Sequence, residues 1–306
     1  MNILITGGAG YVGTELVYAL EAEPAVQQIV VYDNLIRNNY NLFLGRTKLN
    51  SNKVKFVKGD ILDSRKLKKE VEKADIVYHL AAKVTTPFAD HNPHEFDQIN
   101  NWGTAELSYL VENSNVKKLI YTSSASVYGA SQNIADIGEA LSPKTFYGIS
   151  KMHGEQHIER LKNTATEIFI LRLGNVYGYS KSMRFDSVIN KFVFEANFAN
   201  RLRIFGDGNQ FRSFVHIDRL STYLKNIALT TLAPNTYNVV ESTFSINEIV
   251  DELKKIYPEL EMVFVNQNMN MRSLNVAPDK RISELKEISK STLGEDLRMF
   301  KESLTF

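Results

Sequence analysis

Within its first fifteen residues the chain runs from a short apolar stretch, Asn2–Thr6, straight into Gly7-Gly8-Ala9-Gly10-Tyr11-Val12-Gly13 and on into an amphipathic segment. Glycines spaced Gly-x-x-Gly-x-x-Gly between a strand and a helix permit a tight turn, a close approach of the backbone to a pyrophosphate, and close packing of helix on strand. Free N–H groups and the dipole at the helix N-terminus then favour negative charge. This opening points to a dinucleotide-binding βαβ unit and constrains the rest of the fold.

The following residues keep that rhythm. Short runs rich in Ile, Val and Leu at 28–32, 54–58, 76–79, 118–122 and 168–173 read as strands buried on both faces of a parallel sheet. Amphipathic segments at 13–22, 64–72, 101–114 and 146–162 read as the intervening helices. The expected fold is α/β, a Rossmann-like doubly wound parallel sheet with a smaller C-terminal α/β substrate lobe. Residues 1–175 with about 215–240 are expected to form the dinucleotide-binding domain, and 176–214 with 241–306 the lobe. In the lobe, 184–197 and 245–256 read as helices, the second opened by a Ser245/Glu248 capping box, and 212–215 reads as a strand.

Composition excludes several function classes. There are no cysteines, so disulfides, thiolate chemistry and Cys-based metal sites are absent. A net charge of +1 gives no basic surface for nucleic acid or an acidic membrane. The N-terminus lacks the features of a signal peptide, and no apolar run approaches a membrane span, so a cytoplasmic protein is expected.

At the end of the second strand stands Asp33, twenty residues beyond Gly13. A carboxylate there accepts from both ribose hydroxyls and repels a 2′-phosphate, which favours NAD over NADP, although Arg37 lies near enough to soften that preference. Asn34 beside it, and Asp60-Ile61 closing the third strand, belong to the same expected adenosine pocket. His79-Leu80-Ala81-Ala82 ends the fourth strand; Leu80, Ala81 and Ala82 would let backbone pass beside the nicotinamide-side phosphates, while His79 reads as structural. With Gly7, Gly10, Tyr11, Val12 and Gly13, these positions make up the expected cofactor site.

Tyr147 and Lys151 are i and i+4 on an expected helix and therefore share a face. A phenol is a poor base at neutral pH. An ammonium one turn away favours its phenolate, which makes Tyr147 a general base for an alcohol whose carbon loses hydride. Ahead of it, Thr122-Ser123-Ser124-Ala125-Ser126-Val127-Tyr128-Gly129 follows a strand, and a hydroxyl there faces the ligand crevice. By position alone, Ser123 and Ser124 both qualify.

The order of these motifs, with Asn100-x-x-Gly103-Thr104 and Leu173-Gly174-Asn175-Val176-Tyr177-Gly178, resembles the extended short-chain dehydrogenases/reductases, among them the nucleotide-sugar epimerases and dehydratases. The resemblance covers residues 1–220 and is weak beyond. It implies Ser124, Tyr147 and Lys151 as catalytic triad, Asn100 near the cofactor, and a homodimer built on the 101–114 and 147–162 helices. Related 4,6-dehydratases carry an Asp–Glu pair after the triad hydroxyl, where this chain has Ala125-Ser126. The fucose-synthase-like branch uses a cysteine, and none is present. What remains is oxidation and re-reduction at C4, as in UDP-galactose 4-epimerase-like enzymes; the alternative is a nucleotide-sugar 4-reductase or dehydrogenase with the same triad. A cofactor-sensing regulator on this fold would tend to lose the Tyr or Lys, and both are present.

The segment 205–218 resembles the family's substrate segment, which assigns Arg212 to the diphosphate, where a guanidinium fork suits phosphate. Arg272 is a candidate second clamp, and Asn175 a candidate for the phosphates or sugar. The chain departs from the family where Tyr179 follows Gly178 in place of Pro, where Asp218-Arg219 replaces Asp-Asp, and loosely over 278–306. These departures leave the base and the sugar open.

Overall fold

The structure, a computed structural model, describes residues 1–45, 47–84, 92–266, 271–283, 285 and 291–305, without the side chains of 131–133 and 283. Its strands are β1 (Asn2–Thr6), β2 (Gln28–Asp33), β3 (Val54–Lys58), β4 (Ile76–His79), β5 (Lys118–Ser124), β6 (Ser131–Ala135), β7 (Glu167–Leu173), β8 (Asn175–Tyr177), β9 (Arg201–Phe205), β10 (Phe211–His216), β11 (Thr236–Val239), β12 (Ser242–Ser245), β13 (Glu261–Val265) and β14 (Leu274–Val276). Its helices are α1 (Tyr11–Glu21), α2 (Ser64–Val71), α3 (Pro93–Phe96), α4 (Gly103–Glu112), α5 (Phe146–Glu159), α6 (Val188–Ala199), α7 (Ile217–Leu229), α8 (Ile246–Ile256), α9 (Lys280–Ser283) and α10 (Leu293–Glu302).

Seven strands form one sheet in the order β11-β7-β5-β4-β1-β2-β3, every neighbouring pair parallel. The unbroken apolarity of its strands follows from their two covered faces. Ile3, Ile5, Val31 and Tyr78 enter a core with α1 and α7, whereas Leu4, Val30 and Val77 enter another with α2, α4 and α5. Alternation along each strand therefore sends apolar side chains both ways. The chain leaves this sheet at Gly174, and β8 pairs with β10 in a three-stranded sheet whose core also takes Ile189, Phe192, Leu253, Leu297 and Phe300 from α6, α8 and α10. Among the described residues no helix is long and apolar enough to cross a membrane.

The capping box before α8 is present, with Ser245 accepting from the Glu248 N–H and the Glu248 carboxylate accepting from Ser245 N–H at 2.6 Å. The helix expected from 184 instead starts at Val188, because Arg184 and Asp186 pair in the preceding loop at 2.8 Å.

The unusual Arg219 has a clear task. Its guanidinium bonds Glu241 at 2.6 Å and Asp296 of α10 at 2.8 Å, all three largely buried, so it fastens the C-terminal helix to the start of α7. Burial by itself would raise the Asp296 carboxyl, but bonds from Arg219, Ser291 and Tyr177 outweigh it and hold the group below its ordinary range. The stability this contributes is present above the unfolded carboxyl pKa and is lost as pH falls through the lower folded value. Arg219→Met leaves two buried carboxylates unpaired and is expected to destabilise the protein by ~3–5 kcal/mol. Urea denaturation measures this, and a loss under ~0.5 kcal/mol would place the cluster among ion pairs of no consequence.

Candidate active site

The C-terminal ends of the parallel strands converge on one crevice, where an open α/β sheet binds its ligands. At its centre Gly7 has φ +72°, and a Cβ there would lie 2.6 Å from the Ala81 nitrogen and 2.7 Å from its Cα. A Cβ on Gly13 would lie 2.6 Å from the Gly7 oxygen. The loop thus passes flush against Ala81 and the helix start packs directly on the loop. Gly10 caps α1, and the N–H groups of Tyr11, Val12 and Gly13 in its first turn have no intrahelical acceptor. This cradle fits a dinucleotide pyrophosphate. Tyr11 takes part through its backbone only, because its hydroxyl donates to the Gly178 carbonyl at 2.5 Å.

Asp33 accepts from the Ala9 N–H at 3.1 Å and the Leu35 N–H at 2.8 Å, so its carboxylate is fixed at the edge of the glycine loop. Burial raises its pKa against these two bonds. The Arg37 guanidinium comes within 3.9 Å of Asp186. Asp33→Ala is expected to weaken NAD by ~1.5–3 kcal/mol, roughly ten- to hundred-fold, and NADP much less. Equal losses in parallel titrations of the two would remove this role. Asn34 donates to the Asp60 carboxylate at 2.9 Å, and Asp60 accepts from Leu62 N–H, so these residues form the rim as a unit. Ile61 is buried in the core behind that rim.

Beyond β4, Leu80 N–H bonds the Thr6 carbonyl at 3.0 Å, which carries Ala81 and Ala82 past the glycine loop. His79 is structural. Thr104 Oγ1 donates to the Asn100 carbonyl, so it accepts from His79 Nε2–H at 2.9 Å, and Nδ1 accepts from Thr6 at 2.8 Å. Burial lowers the imidazole to about 3, and it stays neutral. Asn100 lies in a π-helical turn, Asp97–Trp102, leading into α4. Its side chain holds both backbone groups of Lys83 at 2.8 and 3.0 Å and donates to Ser150 Oγ at 3.0 Å. Ser150 in turn donates to the Tyr147 carbonyl at 2.9 Å. Asn100 therefore ties the loop after β4 to the helix that carries Tyr147.

Thr145 caps α5 by accepting from the Gly148 N–H at 3.1 Å, and a Cβ on Gly148 would lie 2.7 Å from the Ser126 oxygen. That close approach brings the head of α5 to the turn after β5. There the two candidate serines separate. The Ser124 hydroxyl acts on the Tyr147 phenol, favouring its ionised form, whereas Ser123, on the opposite face of β5, donates to Glu155. Burial raises the Tyr147 phenol, opposed by the Ser124 bond and by the charge of Arg184. Lys151 is 2% exposed, donates to the Thr122 carbonyl at 2.8 Å and lies 4.8 Å over the Tyr121 ring. Burial lowers its ammonium to about 7.

On the substrate side, Arg212 donates to the carbonyls of Phe211 and Arg272, and among the described residues no carboxylate pairs with it. Arg272 is tied to the Lys144 carbonyl at 2.8 Å, and Asn175 to the Ser213 carbonyl at 3.1 Å. Sequence reading missed Arg184, whose charge reaches Tyr147 from the loop after β8. No local pattern marks it, since only the folding of that loop over the crevice brings it there. Among the described residues no cluster is placed to hold a metal ion.

Residues 3–239 match the NAD dependent epimerase/dehydratase family. The chain is 30% identical over 282 residues to a UDP-glucose 4-epimerase of Yersinia enterocolitica, covering 84% of this chain and 82% of that protein. It is 32% identical over 272 residues to a dTDP-D-glucose 4,6-dehydratase of Dictyostelium discoideum, covering 83% of this chain but only 61% of the dehydratase's length. The UDP-glucuronic acid 4-epimerase from Bacillus cereus, in complex with UDP-glucuronic acid and NAD, superposes with a TM-score of 0.86 at 26% identity, over 99% of this chain and 98% of that one. With residues 3–239 matched and these relatives covered over most of their length, the chain belongs to the family of NAD-dependent epimerases and dehydratases.

Proposed function

We propose that this enzyme is a nucleotide-sugar 4-epimerase that works through a transient 4-keto sugar and keeps its NAD bound. The observation that carries the reading is the surroundings of the Tyr147–Ser124 pair. The positions after Ser124 are a buried Ala125 and Ser126, whose N–H bonds the Ser124 hydroxyl at 3.2 Å. Among the described residues the charge that acts on Tyr147 is the cation of Arg184. Removing water across C5 and C6 needs an acid and a base at the sugar, and this position supplies neither.

NAD, when bound, supplies the hydride acceptor and returns the hydride. Tyr147, beside Ser124, takes the C4 hydroxyl proton and, after the keto sugar has turned over and hydride has returned to its other face, gives a proton back to the C4 oxygen. Lys151, one helical turn beyond Tyr147, supplies a donor for the cofactor ribose. Asn100 and Ser150 fix the head of α5. Arg212 takes the diphosphate, with Arg272 and Asn175 flanking it. In this reading the protein works in the cytoplasm as a homodimer, supported by the exposure of Trp102 at 60% and Tyr109 at 58% beside and on α4.

The test is incubation with UDP- and dTDP-linked hexoses and hexuronic acids, followed by chromatography of the sugars and of the dinucleotide released on denaturation. Interconversion of C4 epimers with NAD retained near stoichiometry is expected. A 4-keto-6-deoxy product, or an empty protein consuming added NADH or NADPH, would replace the reading with a dehydratase or a reductase.

A further inference from the structure

The first residue of α1 faces two ways. The Tyr11 N–H belongs to the cofactor cradle, while its buried hydroxyl donates to the Gly178 carbonyl at 2.5 Å and accepts from Asn190 Nδ2 of α6 at 3.4 Å. Asn190 is fully buried, with both amide hydrogens and its oxygen engaged. Its Nδ2 also donates to the Arg184 carbonyl at 3.1 Å, and its Oδ1 accepts from the Gly178 N–H at 3.0 Å. An N–H on one side and a carbonyl on the other fix which way the amide points. One turn along the same face of α1, the buried Thr14 hydroxyl donates to Ser182 Oγ at 2.8 Å. Gly178 has φ +114°, and a Cβ there would lie 2.5 Å from His216 Nε2, so its backbone has no room to drift. The loop held in this way runs on to Asp186, within 3.9 Å of Arg37 beyond β2, and so borders the crevice at the strand ends.

We propose that the pairs Tyr11–Asn190 and Thr14–Ser182 are positioning residues that answer to the cofactor: NAD seated on the first turn of α1 orders the loop after β8 and the start of α6. The inference rests on the cradle, not on the reaction proposed above. A pyrophosphate held by the N–H groups of residues 11–13 would fix the turn from which the Tyr11 phenol projects. That phenol is a partner of both Gly178 and Asn190, so displacing the turn leaves a buried carbonyl and a buried amide hydrogen unpaired. Unpaired buried groups are costly, and the loop therefore opens more readily when the turn is free to move. A ligand that binds only the closed arrangement suppresses the opening. The remaining ties between this loop and the cofactor domain are more exposed, Lys181 to the Tyr18 hydroxyl at 3.1 Å and Arg37 to Asp186, and exposed pairs contribute little. Through the two buried pairs, the wall of the substrate crevice is set by the cofactor before a sugar enters.

Amide hydrogen exchange read by mass spectrometry tests this, on protein saturated with NAD and on the same protein stripped of it with charcoal. No turnover is needed, so a failure of the proposed activity leaves the result readable. In the parent, NAD is expected to slow exchange about tenfold over residues 178–199 as well as over 3–17. In Tyr11→Phe saturated with NAD, the slowing is expected to persist over 3–17 and to fall to about twofold or less over 178–199. A hydroxyl that only stabilises the lobe would speed exchange there equally with and without NAD and leave the ratio at its parental value. That outcome overturns the proposal, as does a parent in which NAD leaves 178–199 unchanged. The double variant T14V/S182A removes both partners of the second bond together, which a folded protein tolerates best, and is expected to reduce the slowing over 178–199 part of the way. Should Tyr11→Phe fail to fold, the double variant decides alone: a parental ratio at an unchanged melting temperature overturns the proposal equally.

Discussion

Tyr147→Phe is expected to reduce turnover by at least ~10²–10⁴-fold, the range lost with a general acid–base, while NAD content and melting temperature stay near those of the parent. The substitution removes one oxygen. The Phe96 ring still meets the ring at 6.2 Å, the Thr145 cap still accepts from Gly148, and Ser150 still bonds the carbonyl of residue 147. Ser124 retains the Ser126 N–H as a partner. Hydride transfer from an alcohol needs its proton removed, and the proposed mechanism gives that task to the Tyr147 phenol. Steady-state rates on an active nucleotide sugar, with the dinucleotide counted after denaturation, check both halves. A variant with near-parental turnover would show that another group takes the proton.

Gly13→Val should abolish stable NAD retention. The added Cβ would lie 2.6 Å from both the Gly7 oxygen and the Gly8 Cα and 2.8 Å from the Gly8 carbonyl carbon. All three are backbone atoms of the phosphate loop, so relief requires the loop to move off the helix start. Overpacking of this kind costs ~1–3 kcal/mol or more, and here the strain falls on the cradle itself, giving roughly ten- to hundred-fold weaker NAD binding. Gly138→Ala, where nothing lies within 4 Å of the added carbon, should leave NAD binding unchanged. Calorimetric titration of both variants makes the comparison, and normal NAD affinity in Gly13→Val would move the pyrophosphate elsewhere.

Much of the Rossmann-like sheet and cofactor site is local information. A parallel strand covered on both faces shows itself as a continuous apolar run, so β1, β3 and β4 have the bounds read from sequence. The glycine loop is a contiguous motif because three successive close approaches occur within seven residues. Tyr147 and Lys151 fall one turn apart on α5 through the helical period alone. Where partners come from distant elements, the sequence carries no such signal. Strand β8 is three residues long and exists only because β10 lies beside it. Ser123 and Ser124 are equivalent in sequence, but adjacent strand residues point to opposite faces, and what covers each face sends one to Glu155 and the other to Tyr147. Arg219 reads as a departure from a family pattern until Glu241 and Asp296 surround it. Arg37 reads only as a neighbour of Asp33 in sequence, and the fold also brings it within 3.9 Å of Asp186. Backbone conformation and side-chain period act over a few residues, and the chain itself states them. The partner of a charge is fixed by which elements pack together, and tertiary structure alone decided that.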